Sequence, residues 1–241
     1  MSMTATFIEV EAAELAKIEA DPSLAEGLFQ SGHAMPMVFG ELAKTMQDRV
    51  RAAGPQMFAA ALSNLDPRIK KQLEERLGHS TEAFAAGGGG DALLKMMEER
   101  RARAVGISQM SKKAHPTISL EKEWHGVHFV LCGEIEPGQS LLSKAVLGGK
   151  ALGEDDEGFS GYGPARCFTP QQVAELSSAL SQAELETKAA ARFDAERMNK
   201  LKIYPGWRST DAEPVMAAFR SLRDFYADAA GRGHAIVTCL I

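Results

Sequence analysis

The first ten residues alternate. Met3, Ala5, Phe7 and Glu9 fall to one side and Thr4, Thr6, Ile8 and Val10 to the other, with a β-branched excess that predicts a strand. Helical spacing takes over at once: Leu15 with Ile18, and Leu24 with Leu28, predict two short helices separated by Asp21-Pro22. At the other end of the chain, Val215, Phe219, Leu222, Tyr226 and Ala229 recur at intervals of four and three, which predicts one amphipathic helix closed by Gly231-Arg232-Gly233. The final "HAIVTCLI" is β-branched and apolar without a polar face, the pattern of a central or well-covered strand. Strands near both termini with helices between them predict an α+β fold, mainly helical, whose small sheet is built from the two ends of the chain.

Between these ends the pattern changes twice. From about 31 to 116, Ala, Gln, Met, Lys, Glu and Arg dominate, and Pro36, Pro55 and Pro67 stand where helices can begin, so this stretch reads as a long all-helical insertion in a single domain spanning 1–241. Within it, Gly87 to Gly90 precede a helix starting near Asp91; lacking the spacing of a phosphate-binding loop, they read as a flexible connection capped by Asp91. The run "EERRAR" at 98–103 mixes both signs and reads as a solvated helix face. Residues 119–133 fit a helix better than a strand: Ser119 serves as cap, Leu120, Trp124, Val127 and Leu131 share a face, and Gly133 is the stop. Gly126 inside that helix costs about 1 kcal/mol relative to Ala and implies the close approach of another element.

Farther on, "SLLSKAVLGG" predicts a short helix ending at Gly148 and Gly149, followed by a Gly-rich loop over "EDDEGFSGYGPAR" that enters a short strand. Thr169-Pro170 with Gln172 spells a capping box, and Asp194 is placed to cap the helix of "AERMNK". "IYPGW" is an extended or turn segment, because the residue before Pro205 is biased away from the α region.

Charge and cysteine content narrow the class. A net charge of −5 argues against a general nucleic-acid or anionic-membrane surface, although a local basic patch remains compatible with it. Cys132, Cys167 and Cys239 lie singly in apolar stretches, which fits buried thiols in a reducing compartment. With no basic leader followed by an apolar core and no apolar run near the ~20 residues of a membrane span, a cytoplasmic location is the expectation.

Six blocks together carry a resemblance: "MSMTATFIEV", "LEKEWHGVHFVLCGE", "LLSKAVLGG", "GYGPAR", "RFDAERMNKLKIYPGW" and "FYADAAGRGHAIV". In this order and spacing, over residues 1–30 and 117–241, the chain resembles the YfbM-like bacterial family, known as domain of unknown function 1877. The resemblance implies a compact α+β fold in the bacterial cytoplasm. It supplies no catalytic residues, substrate or cofactor, and the stretch from 31 to 116 is longer than a compact member of the family needs.

The residues themselves offer two constellations. Glu121, His125, His128 and Cys132 follow one another at helical offsets and are all of metal-ligand type, but their spacing matches neither a zinc finger nor HExxH, so no metal and no cofactor is expected. "GYGPAR" pairs Tyr162, a ring face, with Arg166, a fork for carboxylate or phosphate, and Trp124, Tyr204 and Trp207 could wall the same pocket. Two functions follow. One is a non-catalytic binding or protein-interaction protein, of the partner-neutralising immunity type. The other is an enzyme or binder of a small anionic metabolite, with Trp124, His125, His128, Tyr162, Arg166, Tyr204 and Trp207 gathered into one pocket and a histidine as general base. Whether the chain is an enzyme is left open by the sequence.

Overall fold

Two six-residue strands at opposite ends of the chain form the centre of the fold. In this computed structural model, which describes residues 3–29, 102–153 and 162–241, β1 (Ala5–Val10) pairs antiparallel with β5 (Ala235–Leu240) along its whole length, Ala5 opposite Leu240 and Val10 opposite Ala235. β2 (Thr117–Ser119) adds to the free edge of β1, and β4 (Arg166–Phe168) followed by β3 (Lys150–Ala151) adds to β5. The sheet order is β2-β1-β5-β4-β3, antiparallel throughout. The α+β class expected from the sequence is therefore the observed one.

The chain divides into two compact units, one made of Met1–Phe29 with Gln109–Ile241 and the other of Gln30–Ser108. Of the second unit only 102–108 are described, and they are helical, as are residues 109–112 of the first. The glycine run at 87–90, the Asp91 cap and most of the charge run at 98–103 lie outside the described residues, as does the loop over 154–161. Met110 is buried in the first unit, so residues 109–116 pack with the terminal strands.

Both faces of the sheet are covered, which explains why β5 shows no polar face. Ala5, Phe7, Ile236 and Phe168 pack into one core, and Ile8, Val10, Val237, Cys239 and Cys167 into the other. The second core is closed by Leu15 and Ile18 of α1 (Ala12–Ala20) and by Ala25 and Leu28 of α2 (Leu24–Phe29). The first is closed by α3 (Trp124–Cys132), α5 (Pro170–Leu180) and α8 (Ala212–Arg232). All five residues of the predicted α8 stripe, Val215 to Ala229, are buried, and Gly233 ends the helix in the left-handed region at φ 67°. Tyr226 fixes that helix in place: its ring stands edge-on to Phe7 and Phe168, and its hydroxyl donates to the carbonyl of Ala145 at 2.9 Å.

The local signals of the second half of the chain correspond to real caps. Thr169 accepts from the N–H of Gln172, while Gln172 accepts from the N–H of Thr169, closing the box at the head of α5. "ELETKAAARFDAERMNK" forms two helices, α6 (Leu185–Arg192) and α7 (Ala195–Lys200), and Asp194 accepts from Arg197 N–H at the head of the second. α4 (Lys144–Leu147) stops at Gly148.

The expected cap at Ser119 is corrected. Thr117, Ile118 and Ser119 pair with Ile8, Phe7 and Thr6, and Ser119 Oγ accepts from Glu121 N–H at the turn that follows. The free edge of β1 offers this stretch a ladder of hydrogen bonds, which a helix cap alone does not match. Glu121 then adopts φ 45° and a 3-10 turn over Glu121–Glu123 leads into α3, whose stop at Gly133 (φ 77°) is as expected.

Candidate functional site

α3 is buried all round rather than on one stripe, with every residue from Trp124 to Leu131 withdrawn from solvent. The residues expected to form a pocket are therefore largely internal supports. Trp124 Nε1 donates to the carbonyl of Met3 at 3.2 Å, and its ring stacks on His125 at 4.8 Å and on Tyr204 at 5.9 Å. The Tyr204 hydroxyl accepts from Met3 N–H, so this aromatic stack ties the chain's first described residues to the turn that carries the cis Tyr204-Pro205 bond.

His125 is held at both ring nitrogens. Nδ1 accepts from Tyr204 N–H at 3.0 Å, which leaves the proton on Nε2 to be donated to the carbonyl of Ile135 at 3.1 Å. Burial lowers its pKa below the usual histidine value, only partly offset by the Ile135 carbonyl. His128, completely buried, is pushed down to about 4, chiefly by burial. Its Nε2 lies 3.7 Å from Cys132 Sγ, and its Nδ1 meets no hydrogen-bond partner among the described residues. Burial also raises the pKa of the Cys132 thiol, which donates to the carbonyl of His128 at 3.1 Å. Both imidazoles are thus neutral near pH 7 and buried, and the Cys132 thiol beside them is half-buried.

Glu121 does not join them. The 3-10 turn takes it off the helix and leaves it exposed, and no three His, Cys, Asp or Glu side chains among the described residues converge as a metal set would. Trp207 is structural as well: Nε1 donates to Ile203 carbonyl at 3.0 Å, Asn199 brackets its backbone N–H and carbonyl at 2.7 and 2.8 Å, and its ring lies against Gly126. This is the close approach that Gly126 implied.

Tyr162 and Arg166 lie elsewhere, at the β4 side of the sheet. Two adjoining concavities share Arg166 and Leu147. The smaller is lined by Tyr162, Pro164, Thr238 and Leu240; the larger, a cleft of about 460 Å³, by Leu141, Lys144, Lys150, Gln172 and Glu175. Neither is lined by His125, His128, Trp124, Tyr204 or Trp207. The seven expected pocket residues therefore divide into an internal aromatic and histidine cluster and an accessible Tyr162/Arg166 site. Arg166 Nη1 donates to the carbonyl of Gly149 at 3.2 Å, Lys150 pairs with Glu19 at 2.8 Å, and Lys144 has no carboxylate partner among the described residues. Exposed pairs of the Lys150–Glu19 type are worth little and exchange readily.

A third constellation escapes local reading. Glu9, whose side chain is completely buried, accepts from Arg232 through both carboxylate oxygens at 2.6 Å and contacts His234 Nδ1 at 2.6 Å. Burial alone would raise its pKa; the hydrogen bonds from Arg232 and His234 outweigh that and hold the carboxyl below its ordinary value. Behind it, His115 Nδ1 meets the Glu9 carbonyl at 3.2 Å, and Lys113 bridges Glu11 and Glu14 of the α1 region at 2.8 Å. Partners 223 and 225 positions away leave no spacing to read. The available signal was parity, because Glu9 falls on the Phe7 side of an otherwise apolar strand face and a carboxylate there requires a cation.

No helix among the described residues is long and apolar enough to cross a membrane. No curated protein matches the chain. Similar solved structures include the crystal structure of a protein of unknown function, YfbM from Escherichia coli, at 22% identity and a TM-score of 0.44, over 63% of this chain and 92% of that one. The family model of a domain of unknown function, DUF1877, matches residues 1–239, almost the full chain, and the chain therefore belongs to the DUF1877 family.

Proposed function

We propose that this chain is a non-catalytic, cytoplasmic binding protein of a bacterial cell, of the partner-neutralising immunity type, which acts by presenting the face around Arg166 to another protein. One observation carries the reading. Five large hydrophobic side chains remain exposed among the described residues, and two of them, Leu141 and Tyr162, line the concavities around Arg166; a third, Ile135, lies two positions before Pro137 in the wall of the same cleft. Aromatic and arginine side chains beside exposed apolar groups are the composition of interaction surfaces. The state of the histidines supports the non-catalytic part, since a buried His125 satisfied at both nitrogens has no nitrogen left to act as a base. The segment over 31–116, much of it a compact unit of its own, has in this reading the role of adjusting partner specificity.

Affinity capture from the source cell with the natively expressed chain tests the proposal. A stoichiometric protein partner is the expected result, and a chain that repeatedly elutes alone overturns it. A second reading, a binder of a small anionic metabolite, is favoured by the cleft volume of about 460 Å³, within the range of ligand pockets. Native mass spectrometry of the purified protein separates the two, because a retained small anion supports the second.

A further inference from the structure

Resting on that binding reading, we infer that the Arg166 trough receives an extended acidic segment of the partner, with Asp or Glu carboxylates on Arg166, Lys144 and Lys150 and apolar side chains on Leu141, Leu147 and Tyr162. Charge is the first argument. The chain as a whole carries −5, yet among the described residues the cleft beside β3 is lined by three cations from three separate elements, α4, β3 and β4, against Glu175 in that lining and Glu19, which pairs with Lys150. An acidic protein with a local basic trough repels most acidic surfaces and is attracted to one that fits the trough.

Shape is the second argument. The two concavities share Leu147 and Arg166, with Lys150 and Glu175 in the lining of one and Tyr162 and Leu240 in the lining of the other. The lining mixes cations with apolar side chains, Leu141, Leu147 and Tyr162 among them, which suits an extended chain that carries both carboxylate and apolar side chains better than a compact ion. Lys144 stands without a carboxylate partner among the described residues, and Lys150 is held only by an exposed pair with Glu19, so two of the three charges are available at small cost. Among the described residues Arg166 makes one side-chain bond, from Nη1 to the Gly149 carbonyl, and the rest of its planar fork suits a carboxylate.

The test is fluorescence anisotropy with a labelled short peptide of alternating Glu and Leu, a Lys/Leu peptide as control, and inorganic pyrophosphate as a second probe, all on the full chain. The acidic peptide should bind, bind more weakly as salt rises, and lose about tenfold in affinity with Lys144→Glu, while Lys200→Glu, on α7 and outside the trough, leaves binding unchanged. Arg166→Glu should cost more, and because Lys144 is exposed, its variant keeps the test valid if Arg166→Glu does not fold. Absence of peptide binding overturns the inference, as does binding indifferent to Lys144→Glu or binding of pyrophosphate without the peptide. Capture experiments separate the two levels. No partner on the wild-type bait refutes the binding reading, whereas a partner retained equally by wild-type and Lys144→Glu baits refutes only the trough.

Discussion

Replacing Gly126 by Ala sets two calculable effects against each other. Alanine in a helix interior is favoured over glycine by about 0.8–1.0 kcal/mol, so in an exposed helix the change would stabilise. Here a β-carbon at position 126 would lie 2.6 and 2.7 Å from two carbons of the Trp207 ring and 3.2 Å from Val215 Cγ2. Carbon atoms prefer roughly 3.5–4.0 Å, so the indole must retreat by about 1 Å. It has little freedom to do so, since Nε1 is bonded to Ile203 carbonyl, Asn199 clamps the backbone on both sides, and Phe193 stands edge-on at 6.2 Å. Overpacking of this kind costs typically 1–3 kcal/mol, and breaking the indole hydrogen bond adds another ~1–3 kcal/mol. The net expectation is destabilisation by about 1–5 kcal/mol, toward the lower end if the indole keeps its hydrogen bond. Urea unfolding followed by far-UV circular dichroism measures it, and the same substitution in a Trp207→Phe background should cost much less or stabilise, because the crowded ring atoms are gone. A Gly126→Ala protein as stable as the wild type at an unchanged denaturant slope refutes the packing argument.

The acid response should divide between two centres. His128 has a folded pKa of about 4 against an ordinary 6.5, so the folded state binds protons less readily; its contribution is fully present above about pH 6.5 and is lost as pH falls toward 4, by roughly 3 kcal/mol at 1.36 kcal/mol per unit. Urea midpoints of wild type and His128→Phe across that window test this, the variant giving the flatter profile. Glu9, whose pKa is lowered, contributes stability present above its ordinary 4.5 and lost only as pH falls through the lower folded value, so Glu9→Gln should flatten the profile below about 4.5 and, by removing the charge and one of the two acceptor oxygens that meet Arg232 and His234, cost about 1–3 kcal/mol at neutral pH. Thr169→Ala removes the cap oxygen that accepts from Gln172 and should cost about 1 kcal/mol in thermal or urea unfolding, with Thr169→Ser close to wild type.

What could be read locally was read correctly where the cause is local. The capping box at Thr169, the Asp194 cap and the glycine stops at 133 and 233 depend on bonds spanning a few residues, and the stripe of α8 depends on the helical period alone. β2 and β3 have three and two residues, too few for a period to show, and their existence is decided by the edges that β1 and β4 leave unpaired. Ser119 illustrates the conflict: its hydroxyl could cap a helix, but the pairing of Ser119 with Thr6, more than a hundred positions away, takes precedence.

The histidine row lies inside the core for a reason that goes deeper than its spacing. A helix with an apolar stripe and a polar row normally turns the row to solvent, and then imidazoles and a thiol at helical offsets are free to bind something. α3 instead sits in the centre of its core, so its second face had to be covered, and the segments covering it, the loop after Gly133 and the turn at Tyr204, bring backbone groups that need partners. His125 supplies one acceptor and one donor to those segments, and Arg192 donates from α6 to the carbonyls of Val130 and Leu131 at the helix's end. Neutral imidazole suits this role because one ring both gives and takes a hydrogen bond at little desolvation cost. The same polar residues that look like ligands in a sequence are thus what a fully buried helix needs to hold irregular chain against it. At the β4 and β3 end of the sheet the side chains are less committed to holding the chain: Arg166 gives one bond to the Gly149 carbonyl, Lys150 is held by its pair with Glu19, and Lys144 has no carboxylate partner among the described residues.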